Sequence, residues 1–247
     1  EGSKLAPALA GSQGYLPNDC EARALAVPAV RPAALKTIGA DLPEGAGASV
    51  VLGPGTGLGV GALVKAGDLW VPIPSEGGHI DLAVDAGDWD ILSRVEKVMG
   101  RLTAEVVLSG SGIARLHAAR RAVLGGSGPS DTIAIVETAV ANPGGAEADT
   151  IRQFLRLLAR FAGDMALTFG STGGVYLSGG ILPRIAPLLD ADAFRAAFDG
   201  KEPVDWLPRS IATRLVMSPD AVLHGMAAIA AAPRRYLLDY DRRMWVR

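Results

Sequence analysis

Glycine occupies positions 53, 55, 57, 59 and 61, every second residue of the stretch from Ser49 to Asp81. In an extended segment successive side chains point to opposite faces, so this row leaves one face as bare backbone. Glycine inside a strand usually costs stability, and it marks a tight bend or a close approach to the main chain. Five in register therefore predict that something large lies against the backbone. Exposed N–H groups in such a loop form a concavity suited to phosphate oxygens. The plainer alternative is a flexible hairpin that binds nothing.

Two phosphate-binding patterns are tested against this stretch. The G-x-x-x-x-G-K-[ST] pattern is absent from the chain. Gly57-Leu-Gly-Val-Gly-Ala62 fits the loose dinucleotide fingerprint, with Glu76 near the expected acidic position. That fingerprint needs a helix directly after the glycines. Leu63-Val-Lys65, Ala66-Gly-Asp68 and Leu69-Trp-Val-Pro72 instead read as strand, turn, strand. The dinucleotide reading fails on context.

At 247 residues the chain can bury a substantial core as one large domain or two modest ones. A net charge of −2 with both signs interspersed points to neither nucleic acid nor an anionic membrane as partner. The single cysteine, Cys20, excludes an intrachain disulfide framework and fits a reducing compartment. No apolar run is long enough to span a bilayer and no secretory signal opens the chain, so a soluble cytoplasmic protein is expected. With 49% hydrophobic and only 5% aromatic residues, the predicted core is built from Ala, Val and Leu, as in an α/β enzyme.

Along the chain, 22–27 is helix-prone and ends at Pro28, with Asn18 or Asp19 as a candidate N-cap. Residues 32–47 read as a connector, and 49–52 as a buried strand entering the glycines. The spacing predicts an amphipathic helix over 89–99, a helix or short strand over 103–112, and helices over 113–124 and 131–142. Ile151, Phe154, Leu155, Leu158, Phe161, Ala162 and Met165 keep helical spacing over four turns, the clearest helix in the chain. Val175-Tyr-Leu-Ser178 reads as a strand; Gly179-Gly180 then lead into a helix over 181–189. That junction is a natural seat for a nucleotide, with a plain βα connection as the alternative. The chain closes with a strand over 211–217 and a small-residue helix over 220–231.

Glu76-Gly-Gly-His79 is the sharpest polar signature. Two glycines inside the pair argue for a loop, and with only His79, His117 and His224 available no histidine-rich metal centre is expected. No G-x-S-x-G elbow supports a hydrolase. A carboxylate and an imidazole on one loop suit a neutral polyol, because both groups bond hydroxyls and reject analogues that lack them.

Taken together, Gly53-Pro-Gly-Thr-Gly-Leu-Gly59, Pro74-Ser-Glu-Gly-Gly-His79, Ala104-Glu105 with Leu108-Ser-Gly110, and Gly173-Gly-Val-Tyr-Leu-Ser-Gly-Gly-Ile181-Leu-Pro-Arg184 resemble the bacterial ATP-dependent glucokinases of the proteobacterial type. Asn18-Asp19 with Glu21-Ala22 resembles that family's catalytic Asn-Asp, and Phe194-Arg-Ala-Ala-Phe198 a further family segment. The likeness runs in the family's order from Asn18 to the last helix. It implies an α/β chain of the actin-like ATPase (ribonuclease H-like) sugar-kinase fold. Residues 30–216 would form the large domain, with 1–29 and 217–247 a remnant of a smaller α/β domain.

The resemblance further implies transfer of the γ-phosphoryl of ATP, with Mg²⁺, to the 6-hydroxyl of glucose in a cytoplasmic homodimer. Asp19 matches the general base, while Asn18, Glu76, His79 and Glu105 match sugar contacts. Gly55, Thr56, Gly57 and Gly59 match the second phosphate loop, and Gly179 and Gly180 the nucleotide seat. The family's opening strand and D-x-G-G-T loop have no counterpart here, so the expectation is a fragment, an incompletely represented chain or a degenerate relative. Ser75 stands where glycine is usual and Ser111 where proline is usual. Two rivals remain: a regulatory sugar-binding relative of the same fold, and an N-acetyl-sugar kinase of the repressor/open-reading-frame/kinase group, whose cysteine-rich zinc motif a one-cysteine chain lacks.

Overall fold

The computed structural model describes residues 13–15, 19–238 and 244–246. Its strands are β1 (Gln13–Tyr15), β2 (Leu35–Thr37), β3 (Ser49–Pro54), β4 (Leu58–Ala66), β5 (Leu69–Ser75), β6 (Val175–Leu177), β7 (Thr213–Val216) and β8 (Met244–Val246). The helices begin with α1 (Asp19–Ala26), α2 (Trp89–Leu92), α3 (Ala104–Val107), α4 (Gly110–Leu124) and α5 (Thr132–Ala141). They continue with α6 (Ala146–Phe169), α7 (Leu182–Ile185), α8 (Ala191–Asp199), α9 (Trp206–Arg209) and α10 (Ala221–Ala231).

Six strands form one mixed sheet in the order β2-β7-β6-β3-β4-β5. Strands β3, β4 and β5 are an antiparallel meander, β6 runs parallel to both β3 and β7, and β2 closes the other edge antiparallel to β7. Strands β1 and β8 pair separately. Side-chain alternation in the central strands splits the interior into two cores. Val50, Leu52, Val60, Ala62, Val175, Leu177 and Leu215 face the larger one, beneath the long helix α6. Val51, Leu63 and Tyr176 face the smaller one, shared with Ala24 and Leu25 of α1 and Ile229 of α10. Helices thus cover both faces, as a partly parallel sheet with buried strands requires. Among the described residues no helix is long and apolar enough to cross a membrane.

Helix α6 extends the predicted apolar stripe to 24 residues and stops at Gly170, whose φ of 56° lies in the left-handed region that ends helices. Phe154 and Phe161 on that stripe are buried, each stabilising the fold by roughly 1.5–3 kcal/mol. Three local expectations are corrected. The connector over 32–47 contains a strand, β2, recruited by pairing with β7. The helix expected over 89–99 stops after Leu92; of its later apolar residues Val95 still joins the core, whereas Val98 and Met99 are 45% and 95% exposed. The helix expected over 181–189 is a short α7 followed by a 3₁₀ turn at Ala186–Leu188.

Candidate active site

The glycine stretch does not lie along one strand. Strand β3 ends and β4 begins around it, so Gly53 faces Gly59 across the ladder while residues 55–57 form the tip of a hairpin. The glycines run directly into β4, a strand where the dinucleotide fingerprint needs a helix, so that reading fails in the structure too. The bare backbone expected on one face is concentrated at this tip. Gly55 N–H bonds Gly57 O at 2.8 Å and closes the turn, and Gly55 O accepts from Gly110 N–H at 2.8 Å. The tip is thereby fixed to the start of α4, itself capped by Ser109 Oγ accepting from Gly112 N–H at 3.1 Å.

Glu105, on α3, reaches the same hairpin: its Oε2 accepts from Leu58 N–H at 2.9 Å. A Cβ at residue 57 would overlap that carboxylate oxygen, so a larger residue there would push Glu105 off its bond to Leu58 N–H. The Glu76–His79 turn hangs from the end of β5 and is tied to α3 by Ala104 N–H bonding Ile80 O at 2.9 Å. His79 then sits between two carboxylates, with Nε2 3.8 Å from Glu76 Oε2 and Nδ1 3.9 Å from Glu105 Oε1. These three side chains keep 59%, 81% and 35% of their surface for His79, Glu76 and Glu105 respectively, so their polar atoms remain available to a ligand.

A cavity of about 240 Å³ is lined by Arg23, Gly53, the 55–59 segment, Glu76, His79 and Glu105. On the other side of the hairpin tip is a cleft of about 400 Å³, lined by Gly55, Thr56, Gly110, Ile133, Val136, Gly180 and Ile181 among others. The first is polar and carboxylate-rich. The second presents apolar side chains beside exposed glycine backbone, a combination that suits a flat heterocycle joined to an anionic tail.

Of the residues singled out from the sequence, Gly55, Thr56, Gly57, Gly59, Glu76, His79 and Glu105 come together around one cavity. Gly180 lines the neighbouring cleft. Gly179 has a different job: a Cβ there would overlap Pro54 O, so its role is the close crossing of the β6–α7 junction over β3. Asp19 is the first residue of α1, with its side chain outside what is described, and Asn18 lies outside the described residues altogether. Arg23 lines the cavity without having been singled out; its spacing of four from Asp19 on one helix was the local signal.

Away from this site, a buried charge network braces the 76–103 segment against α6. Asp88 is 1% exposed, and its carboxylate accepts from Gln153 Nε2 at 2.7 Å and from Arg156 Nη1 at 2.9 Å, with Arg160 3.7 Å away. Burial alone would raise its pKa; the bonds from Arg156 and Gln153 and the charges of Arg156 and Arg160 outweigh that and hold it below the usual carboxylate range.

Known proteins resemble the chain in both sequence and fold. A family model described as Glucokinase matches residues 2–233. A glucokinase of Chelativorans sp. (strain BNC1) is 41% identical over 230 residues, covering 92% of this chain and 67% of the relative. The crystal structure of a glucokinase from an Antarctic psychrotroph superposes with a TM-score of 0.77 at 34% identity, over 85% of this chain and 66% of that one. A glucokinase from Balamuthia mandrillaris, solved in complex with glucose, shares the fold with a TM-score of 0.75 at 18% identity, covering 87% of this chain and 65% of that one. The chain spans about two thirds of the length of these relatives. The sheet order and two-faced helical cover are those of the actin-like sugar-kinase fold. With one family model matching residues 2–233 of this chain and a relative 41% identical over 92% of it, the chain belongs to the glucokinase family.

Proposed function

We propose that the protein transfers the γ-phosphoryl group of ATP to the 6-hydroxyl of glucose. One observation carries this reading: Gly55 and Thr56 of the hairpin tip line both a carboxylate-lined hollow and a glycine-lined cleft. A sugar in the first and a nucleotide in the second would meet at that tip. Glu76, His79 and Glu105, with Asn18, bond the hydroxyls of the sugar. Gly55, Thr56, Gly57 and Gly59 offer main-chain N–H groups to the phosphates, and Gly180, beside Gly179, borders the nucleotide.

Asp19 is the general base in this reading. As the O6–P bond forms and the bond from Pγ to the leaving diphosphate breaks, the proton on O6 passes to its carboxylate. Phosphoryl transfer asks mainly for positioning and charge stabilisation. Among the described residues no group of three His, Cys, Asp or Glu side chains is gathered that would hold a resident metal. In this reading Mg²⁺ enters with the substrate as Mg·ATP, on the nucleotide's own phosphates. The same reading keeps residues 30–216 as a large domain and 1–29 with 217–247 as parts of a smaller one, in a cytoplasmic homodimer.

The test is a coupled assay on the full polypeptide carrying this sequence. ATP-dependent phosphorylation of glucose is expected. Asp19→Asn should lose on the order of 10²–10⁴ in kcat while glucose binding by calorimetry is retained. Glucose binding with no ATP-dependent turnover in the unmodified protein would instead make it a sugar-binding relative, and full turnover by Asp19→Asn would remove Asp19 as base.

A further inference from the structure

We propose that Arg23 is the cationic contact for the phosphoryl group that moves, gripping it on the sugar side of the glycine hairpin. The proposal rests on the phosphoryl-transfer reading and adds a residue to it.

Arg23 lies on α1, four residues after Asp19 and so on the same side of the helix. Its side chain runs across Gly53, where Cδ and Nε lie 2.8 and 3.0 Å from the position a Cβ would take. A side chain at residue 53 would occupy that path. The guanidinium is anchored at one corner, Nη1 donating to Ser178 O at 2.9 Å. Its Nη2 points toward the hairpin tip, 3.9 Å from the Cβ position of Gly55. Among the described residues no carboxylate forms an ion pair with it.

The cavity that Arg23 helps to line also holds Glu76 and Glu105, and among the described residues no other Arg or Lys lines it. Neither carboxylate is turned to the guanidinium: Glu105 holds Leu58 N–H, and Glu76 lies beside His79. A neutral sugar brings no charge to pair with it either. A phosphoryl group arriving over the main chain of residues 55–57 brings an anion to the side of the tip that Nη2 faces. The planar fork of arginine donates through several N–H groups at once and suits a tetrahedral oxyanion better than a point charge. The bond to Ser178 O pre-orients the fork, so little freedom is lost when the anion binds. The purely structural alternative is a clamp that ties α1 to the β6–α7 junction.

The two roles separate in a binding comparison between glucose and its 6-phosphate, the product of the proposed reaction. In the full polypeptide, Arg23→Gln should weaken glucose 6-phosphate binding by about 10–100-fold and lower kcat by at least about 10-fold, with glucose affinity changed by less than about 2-fold. Arg23→Lys keeps the charge but not the fork, and should weaken 6-phosphate binding by several fold; it decides the question if Arg23→Gln does not fold. Equal weakening of both ligands, or of neither, by the variant that folds would overturn the proposal and leave the clamp. Absence of phosphoryl transfer by the unmodified protein would instead strike the functional reading itself, which that control measures separately.

Discussion

Glu105 is assigned two jobs at once, and a pair of substitutions pulls them apart. One oxygen holds the hairpin through Leu58 N–H at 2.9 Å, while the other lies beside His79 and faces the hollow. Glu105→Ala removes both functions. Losing a charge-assisted bond and leaving the Leu58 N–H without its acceptor costs about 1–3 kcal/mol in a dry site. Because the carboxylate is 35% exposed, water can take its place, and the low end, about 1 kcal/mol of stability, is expected. On the sugar side, a hydroxyl bonded to a charged acceptor is worth about 1.5–3 kcal/mol, or roughly 10–150-fold in glucose affinity.

Glu105→Gln is the informative partner. Its amide oxygen can still accept from Leu58 N–H, but the remaining amide corner then presents donors to the hollow where the carboxylate presented an acceptor. Stability should therefore stay within about 0.5 kcal/mol of the unmodified protein while glucose affinity falls by about 10-fold or more. The affinity for ATP should hardly move, since the hairpin remains tethered. Thermal melts with and without glucose, together with separate titrations of the two substrates, read all three quantities. Unchanged glucose affinity in Glu105→Gln, or equal losses for glucose and ATP, would refute the assignment of this carboxylate to the sugar.

Two further outcomes test the frame around the site. Asp88→Ala would strand Gln153 and the guanidinium of Arg156 without their acceptor; since Arg156 is 41% exposed the loss should sit near the low end for a broken buried pair, about 3 kcal/mol by urea unfolding, and a loss under about 1 kcal/mol would show the network to be dispensable. His117 is buried, with Nδ1 2.9 Å from a Thr150 hydroxyl that itself donates to Ala146 O at 3.0 Å, so Nδ1 is the donor and Nε2 the bare nitrogen. Burial, opposed by Glu147 and aided by Arg121 and Arg120, lowers its pKa, so the folded protein keeps it neutral where the unfolded chain takes up a proton. This contribution is complete above the unfolded value near 6.5 and declines as pH falls below it, by up to about 1.4 kcal/mol per pH unit. His117→Gln should flatten the stability slope between about pH 7.5 and 5.5, on either side of that unfolded value; an unchanged slope would mean that the ring takes up its proton equally in the folded and unfolded chains.

How much of this was legible in one dimension depends on where each residue's partner lies. Glu76 and His79 are three residues apart on a turn, and the glycines they face are close by in the chain, so the polar hollow could be read locally. The alternating glycines were visible too, but their period suggested a single extended row. A hairpin was one local reading of this stretch, but the place where the chain reverses, residues 55–57, is set by the pairing of Gly53 with Gly59 and by the bond from Gly110. The Asp88 network was hidden for the opposite reason. Gln153, Arg156 and Arg160 recur at helical spacing and read as the wet face of an amphipathic α6, yet two of the three bond a carboxylate that reaches them from 65 or more residues earlier. Arg23 shows the limit most clearly. Its spacing of four from Asp19 puts it near the proposed base, but its anchor, Ser178 O, lies 155 residues away, and that spacing alone does not tell a solvated arginine from one laid across a glycine strand. The sequence pattern thus exposes the groups assigned to the sugar through a loop, whereas the cation assigned to the phosphate becomes visible only when a distant strand end closes over it.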